Sequence, residues 1–259
     1  MITAEIPVAA AAPPPPVLAR RAWVEHVMGT AVSVHVRTVE PTRPDVVAAV
    51  GRVFAHLRRV EQVLSTWRSD SDLLRLQHGE VEEVHAWVAD VTELSLEAEE
   101  RTEGLFRAWR RLPGGRTAFD PTGLVKGWAV AGAGAHLDVV PEVAWSIGAG
   151  GDVAVGAGPG PSAAAPSWRI GLADPRSSGR VADVVTLRRG GVATSGAAER
   201  GGHVVDPRTG RPVLRQGSVT VVGPDLTWAD VWATAAWVDP DGTEALMADR
   251  DPAYRLVRL

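Results

Sequence analysis

The chain has 259 residues, 45% of them apolar and 22% charged, with 27 Lys plus Arg against 31 Asp plus Glu and no cysteine. A formal charge of −4 and the lack of any basic run argue against a nucleic-acid partner. Without cysteine there is no disulfide, thiolate metal site, cysteine nucleophile or lipidated cysteine, and no stretch approaches the roughly 18 apolar residues of a membrane span.

Residues 1–20 carry an alanine run and then Pro13 to Pro16, which predicts a disordered tail of polyproline character. Acid before the short apolar run and no basic n-region make it a poor signal peptide, so a cytoplasmic location is expected. Residues 21–259 contain no evident linker and read as one domain. Alternation at Val32, Val34 and Val36 predicts a strand over Trp23 to Val36, broken at Met28-Gly29-Thr30. Thr42 to Leu64 reads as a helix that Pro44 and Asp45 open, with Val46, Val50, Val53, Phe54, Leu57, Val60 and Leu64 along one stripe. A polar loop over Leu64 to Leu73 then surrounds Trp67, which on its own reads as a packed core aromatic, and leads into a short helix. Ala89 to Leu112 reads as a further helix, ended by Pro113-Gly114-Gly115.

Next comes the only lysine of the chain, Lys126, within Phe119-Asp120-Pro121-Thr122-Gly123-Leu124-Val125-Lys126-Gly127-Trp128-Ala129. Where every other basic position is arginine, a retained lysine points to a place that needs a compact ammonium rather than a planar fork. Asp120 followed by Pro121 reads as a helix N-cap with proline in the first turn, and Leu124, Val125, Trp128 and Leu137 supply an apolar face. Gly123 and Gly127 lie four apart and leave one face bare, so something can approach the backbone closely. That something is either an anionic ligand at the helix start or a neighbouring element packed against glycine.

Beyond this helix the pattern turns to short strands punctuated by glycine, as in an antiparallel or mixed sheet: strand, tight turn and strand over Trp145 to Val155, then Trp168 to Leu172, Val181 to Leu187, Gly191 to Thr194 and Ser218 to Val222. The glycines around Gly148 and Gly156 do not make a dinucleotide fingerprint, because the third required glycine is Val153 or Pro161. Two polar clusters follow: Thr194-Ser195-Gly196 with Glu199-Arg200, and His203 to Gly210, the second of which also reads as ordinary Asp-Pro turn chemistry. The last helix opens at Thr227 and runs through Thr234. Thr227 and Asp230 fit a capping box, yet Asp230 and Thr234 share a helical face and offer hard oxygens suited to Mg²⁺. Capping and metal binding compete for one carboxylate.

In this order the clusters resemble the ApbE family of FAD:protein FMN transferases, from about Val27 to about Val238. The resemblance rests on Met28-Gly29-Thr30, Ser65-Thr66-Trp67 with Ser71-Asp72-Leu73, Asp120 to Ala129, Gly150-Gly151-Asp152, Thr194-Ser195-Gly196 with Glu199-Arg200, His203 to Gly210, and Ala229-Asp230 with Thr234. It implies an α+β fold of mixed or antiparallel sheet and packed helices that binds FAD as substrate together with Mg²⁺. The implied reaction moves the FMN half of FAD to a Thr or Ser hydroxyl of an acceptor flavoprotein and releases AMP. Carried over position by position, the flavin nucleotide would meet Met28, Trp67, Asp120, Lys126, Ser195, Gly196, His203 and Val204. The metal would take the Gly123 carbonyl, Asp230 and Thr234, and the catalytic set would be Lys126, His203 and Asp230, with Asp230 and His203 both open as the base. The family usually has Tyr where this chain has Trp67, which keeps the stacking face and loses the hydroxyl. An FAD pyrophosphatase that passes FMN to water and a non-catalytic flavin binder are the alternatives.

Overall fold

Two strands joined by a tight turn begin the described chain, a computed structural model covering residues 17–111, 115–160, 166–197 and 204–259. β1 (Ala19–Val27) and β2 (Thr30–Thr38) pair antiparallel, and β1 takes in Ala19 and Arg20 from the expected tail. The expected break is the turn itself: Met28 at φ 56° and Gly29 at φ 69° are both left-handed, as a two-residue hairpin that follows the twist of its strands requires. Glycine adopts that conformation freely; methionine does so at a cost and is held there by its surroundings.

α1 (Pro44–Leu64) buries all seven residues of the expected stripe. α2 (Asp72–Gln77) is the short helix, capped by the Ser71 hydroxyl, which accepts from the Leu74 N–H. α3 (Trp87–Arg101) stops well before residue 112. Its end is set by Glu103 at φ 51° and Gly104 at φ 79°, whose N–H groups donate to the carbonyls of Glu100 and Glu99 at 3.1 and 2.8 Å. This is a Schellman closure, and it left the chain extended for β3 (Trp109–Arg111), which pairs with β4 (Thr117–Phe119).

α4 (Thr122–Asp138) starts two residues after Asp120, so Asp120 is not the cap; it accepts from the Thr122 N–H at 3.2 Å across the turn. β5 (Ala144–Ala149), β6 (Asp152–Ala157), β7 (Trp168–Ala173), β8 (Val181–Leu187) and β9 (Gly190–Gly196) follow close to their expected positions. β10 (Val205–Asp206) and β11 (Arg211–Pro212) form a small ribbon around the Asp-Pro turn, which therefore behaves as its chemistry suggested, with Gly210 donating to the Asp206 carbonyl at 2.8 Å. β12 (Ser218–Gly223) leads into α5 (Leu226–Val238), and α6 (Pro240–Arg250) and β13 (Arg255–Arg258) lie beyond what the sequence pattern predicted.

Seven of the described strands form one sheet in the order β1-β2-β5-β6-β9-β12-β13, and every pairing among them is antiparallel. The fold is thus α+β. α4 lies between α1 and α5 on one sheet face, where Val32, Val34, Val36, Ile147 and Val221 are fully buried beneath them. The β7–β8 hairpin covers part of the opposite face through Leu172 and Val185, which pack on Val192 and Val222. Among the described residues, no helix is long and apolar enough to cross a membrane.

One polar network ties α3 and the segment after α6 to the buried side of α5. Asp251 receives the Trp232 indole N–H at 2.8 Å and both carboxylate oxygens lie 3.1 Å from Arg101 Nη1, while the Arg101 guanidinium lies 3.8 Å over the Trp228 ring. Trp232 is fully buried, so truncating the carboxylate strands a buried donor and a half-buried cation. Asp251→Ala is expected to cost about 2–4 kcal/mol, read from the urea midpoint at unchanged m-value. A loss below about 1 kcal/mol would show that water replaces the carboxylate.

Candidate active site

The two glycines of the Lys126 helix do not face solvent; they face α5. A Cβ at Gly127 would stand 2.8 Å from both Asp230 Cβ and the Leu226 carbonyl, and one at Gly123 would stand 3.4 Å from Thr234 Oγ1. The small residues let α4 and α5 approach until Asp230 and Thr234 meet the first turns of α4. Asp230 is buried, and its Oδ2 accepts the Gly127 N–H at 3.0 Å. The capping reading of Asp230 fails because Asp225 holds that place: it is the N-cap of α5 and accepts from the Trp228 N–H at 3.2 Å. Asp230 is therefore committed across the α4–α5 contact rather than to its own helix end.

Lys126 projects from the same turns of α4 toward the sheet. Its Nζ lies 3.0 Å from Asp152 Oδ2, and Asp152 is fully buried at the head of β6, just after a turn in which Gly150 has φ 59°. Asp152 Oδ1 accepts the Thr194 N–H at 3.2 Å, and the Thr194 and Thr220 hydroxyls are 2.9 Å apart, so neighbouring strands hold the carboxylate in place. In the sequence Asp152 stands out only as the end of Gly150-Gly151-Asp152, and nothing local marks it as the partner of Lys126. Ser195 is buried on β9, on the side where Ala193 faces the helices, and Gly196 ends that strand.

Beside the start of α4 lies a cleft of about 350 Å³, lined by Met28, Glu61, Ser65, Thr66, Trp67 and, from α4, Thr122 and Val125. Trp67 is 83% exposed, so it is not a core aromatic. The Ser65 hydroxyl shapes its loop by accepting the N–H groups of Trp67 and Arg68 at 3.2 and 3.1 Å. Glu61 at the end of α1 accepts the Met28 N–H at 3.1 Å and pins the left-handed turn. It is a second residue that sequence reasoning missed, being hidden on a helix that otherwise reads as core and surface. Asp120 pairs with Arg110 at 2.8 Å and receives the Thr122 hydroxyl. Val204 is half-buried and packs against Val219, Ala236 and Trp237 at the C-terminal end of α5. His203, with Glu199 and Arg200, lies outside the described residues.

Asp230, Thr234 and the Gly123 carbonyl are the oxygens here that could hold a hydrated divalent cation. Among the described residues no group of three or more His, Asp or Glu converges, so a cation here would rely on one carboxylate and neutral oxygens. Thr92, Ser95 and Thr102 all return their hydroxyls to the carbonyl four residues back, whereas Thr234 makes no such bond to a described residue. The Gly127 N–H, which in a regular helix serves the Gly123 carbonyl, also has Asp230 as acceptor. Carboxylate, free hydroxyl and carbonyl form a hard-oxygen set of the kind Mg²⁺ takes alongside water and phosphate.

The ApbE family model matches residues 28–110 and 108–256. The FAD:protein FMN transferase of Klebsiella pneumoniae (strain 342) is 24% identical over 290 residues, spanning 89% of this chain and 82% of that protein. The FAD:protein FMN transferase of Treponema pallidum (strain Nichols) is 40% identical over 81 residues, 27% of this chain and 22% of its own. Among solved structures, the ApbE protein of Thermotoga maritima has a TM-score of 0.75 at 21% identity, covering 93% of this chain and 94% of its own. The Pseudomonas stutzeri flavinyl transferase ApbE has a TM-score of 0.72 at 23% identity, covering 93% and 91%. At those identities the two structures speak for the fold. The family match spans nearly all of the chain from the Met28 turn to the segment after α6, and on that match the chain belongs to the ApbE family.

Proposed function

We propose that this chain is an FAD:protein FMN transferase that moves the FMN half of FAD to a Thr or Ser hydroxyl of an acceptor flavoprotein, with Mg²⁺, and releases AMP. The observation that supports the reading is that Asp230 and Thr234 of α5 meet the first turns of α4, the helix that carries Lys126 and whose Thr122 and Val125 line the Met28–Trp67 cleft. The relatives named as FAD:protein FMN transferases give the reading its substrate.

In this reading the flavin ring occupies the cleft, where Trp67 offers an exposed face for stacking. Lys126 supplies positive charge to the pyrophosphate, and Asp120 helps to fix the nucleotide. Asp230, Thr234 and the Gly123 carbonyl would hold Mg²⁺, which neutralises charge on the two phosphates when bound. The acceptor hydroxyl attacks the flavin-side phosphorus, the bond from that phosphorus to the bridging oxygen breaks, and AMP departs with that oxygen. The hydroxyl proton passes to a base. Asp230 has one oxygen engaged by Gly127 and little freedom, which suits a fixed ligand better than a mobile base. No covalent intermediate on the enzyme is needed, so catalysis is positioning and electrostatics.

The test is to incubate the full chain with FAD, Mg²⁺ and a panel of acceptor flavoproteins, then follow acceptor mass and nucleotide release. Acceptor gaining an FMN phosphoester with one AMP per transfer is the expected outcome. Free FMN with unmodified acceptor would mean a pyrophosphatase, and retained FAD without AMP would mean a carrier; either sinks the transferase reading.

A further inference from the structure

A second, basic cleft lies on the sheet face opposite the helices. In β2, Val32, Val34 and Val36 face the core, so Ser33, His35 and Arg37 face away from it. There the start of β7 forms one wall of a cleft of about 200 Å³, lined among others by Arg20, Ser33, His35, Ser146, Trp168 and Arg169. Arg20 lies directly opposite Arg37 in the β1–β2 ladder, a like-charge pairing that a sheet tolerates only at a cost. Arg37 is stacked 4.0 Å over Trp168 and donates to the Ser167 carbonyl at 3.1 Å.

Nothing within the described residues neutralises this cluster. Arg58, Arg101, Arg208 and Arg258 each meet a carboxylate, whereas Arg20, Arg37 and Arg169 pair with none among the described residues. Arg20 donates to His35 Nδ1 at 2.9 Å, which leaves the proton of the neutral ring on Nε2. Burial, then Arg20 and Arg37, hold the His35 pKa below its usual value, so the ring stays a neutral donor at physiological pH. Trp168 is only 6% exposed, and its indole N–H has no hydrogen-bond partner among the described residues. The cleft thus presents guanidinium forks, hydroxyls and an imidazole N–H, nearly all of them able to donate.

We propose that this cleft is an anion site for a phosphate-sized dianion, either inorganic phosphate or the phosphate end of a small monoester. Guanidinium forks match phosphate oxygens bidentately, and the volume admits a phosphate but not the whole of a nucleotide. The site stands independently of the transferase reading, since it shares no residue with the Met28–Trp67 cleft.

Calorimetry on the full chain saturated with FAD and free of divalent metal tests it, because the flavin cleft is then blocked. Inorganic phosphate, AMP and succinate serve as probes. Phosphate or AMP binding at one per chain is expected, with Arg20→Gln plus Arg169→Gln weakening it at least roughly tenfold while FAD affinity stays unchanged. Tighter AMP than phosphate would identify a monoester as the occupant, and the reverse would identify the free ion. The proposal is overturned if neither probe binds the FAD-saturated protein, if succinate binds as well as phosphate, or if the double variant binds like the parent. Because Arg20 and Arg169 are both exposed, the variants are expected to fold.

Discussion

Lys126→Arg is expected to lower FMN transfer by at least roughly a hundredfold, although it keeps the positive charge. The ammonium sits 3.0 Å from Asp152, and that carboxylate is fully buried and held by the Thr194 N–H. A guanidinium is longer and forked, and beside a fixed carboxylate it would seek a bidentate pairing with Asp152. Its charge would then be drawn toward the sheet and away from a bound pyrophosphate. The companion Asp152→Asn keeps the shape and the Thr194 contact but releases the ammonium, and should weaken FAD binding about tenfold as well as slowing turnover. Single-turnover AMP release and FAD titration by fluorescence read the two effects separately. Parent-like turnover in Lys126→Arg would mean that any cation suffices here, and the retention of a single lysine would then have no catalytic reason.

How much of this could be read from the chain follows from the range of the interactions concerned. α1 was legible because its stripe is purely periodic, and β2 because valines alternate along it; the break at Met28-Gly29 was legible too, but not that it turns the chain back into an antiparallel pair. The end of α3 was missed because the closing residue in left-handed conformation is Glu103, not a glycine, while the louder Pro113-Gly114-Gly115 drew the boundary. α6 and β13 were missed altogether; Asp239 caps α6 ahead of Pro240, and β13 gains its place only by pairing with β12. In the site, the lone lysine and the glycine spacing were legible, but their meaning was divided. The packing reading of the bare glycine face is the one observed: a neighbouring helix fills it, and that helix carries Asp230 and Thr234. Asp152 and Glu61 were illegible as site residues because each acts through a partner distant in sequence, Lys126 and Met28. The competition over Asp230 was decided two residues upstream of Thr227, where Asp225 is an equally good cap and takes the helix end.

Asp230→Asn should abolish Mg²⁺-dependent AMP release, with a loss of at least about a thousandfold, while leaving the fold nearly intact. The amide oxygen can still accept the Gly127 N–H that the carboxylate accepts at 3.0 Å, so the α4–α5 contact keeps its hydrogen bond. What disappears is the negative charge, which a hard divalent ion requires and a buried amide cannot replace. Thr234→Val tests the neighbouring oxygen by a different route. That hydroxyl makes no hydrogen bond to a described residue, so its removal should change stability by no more than about 0.5 kcal/mol yet weaken Mg²⁺ binding to the FAD complex about tenfold. Calorimetric titration of Mg²⁺ into the FAD-bound protein gives the affinity without reliance on turnover, and urea unfolding gives the stability. If Asp230→Asn instead loses more than about 2 kcal/mol while each folded molecule binds Mg²⁺ and releases AMP as before, the carboxylate serves only to clamp two helices. The glycines opposite it would then be explained by packing alone, because a Cβ at Gly127 would strike Asp230 whether or not a metal ever sits there.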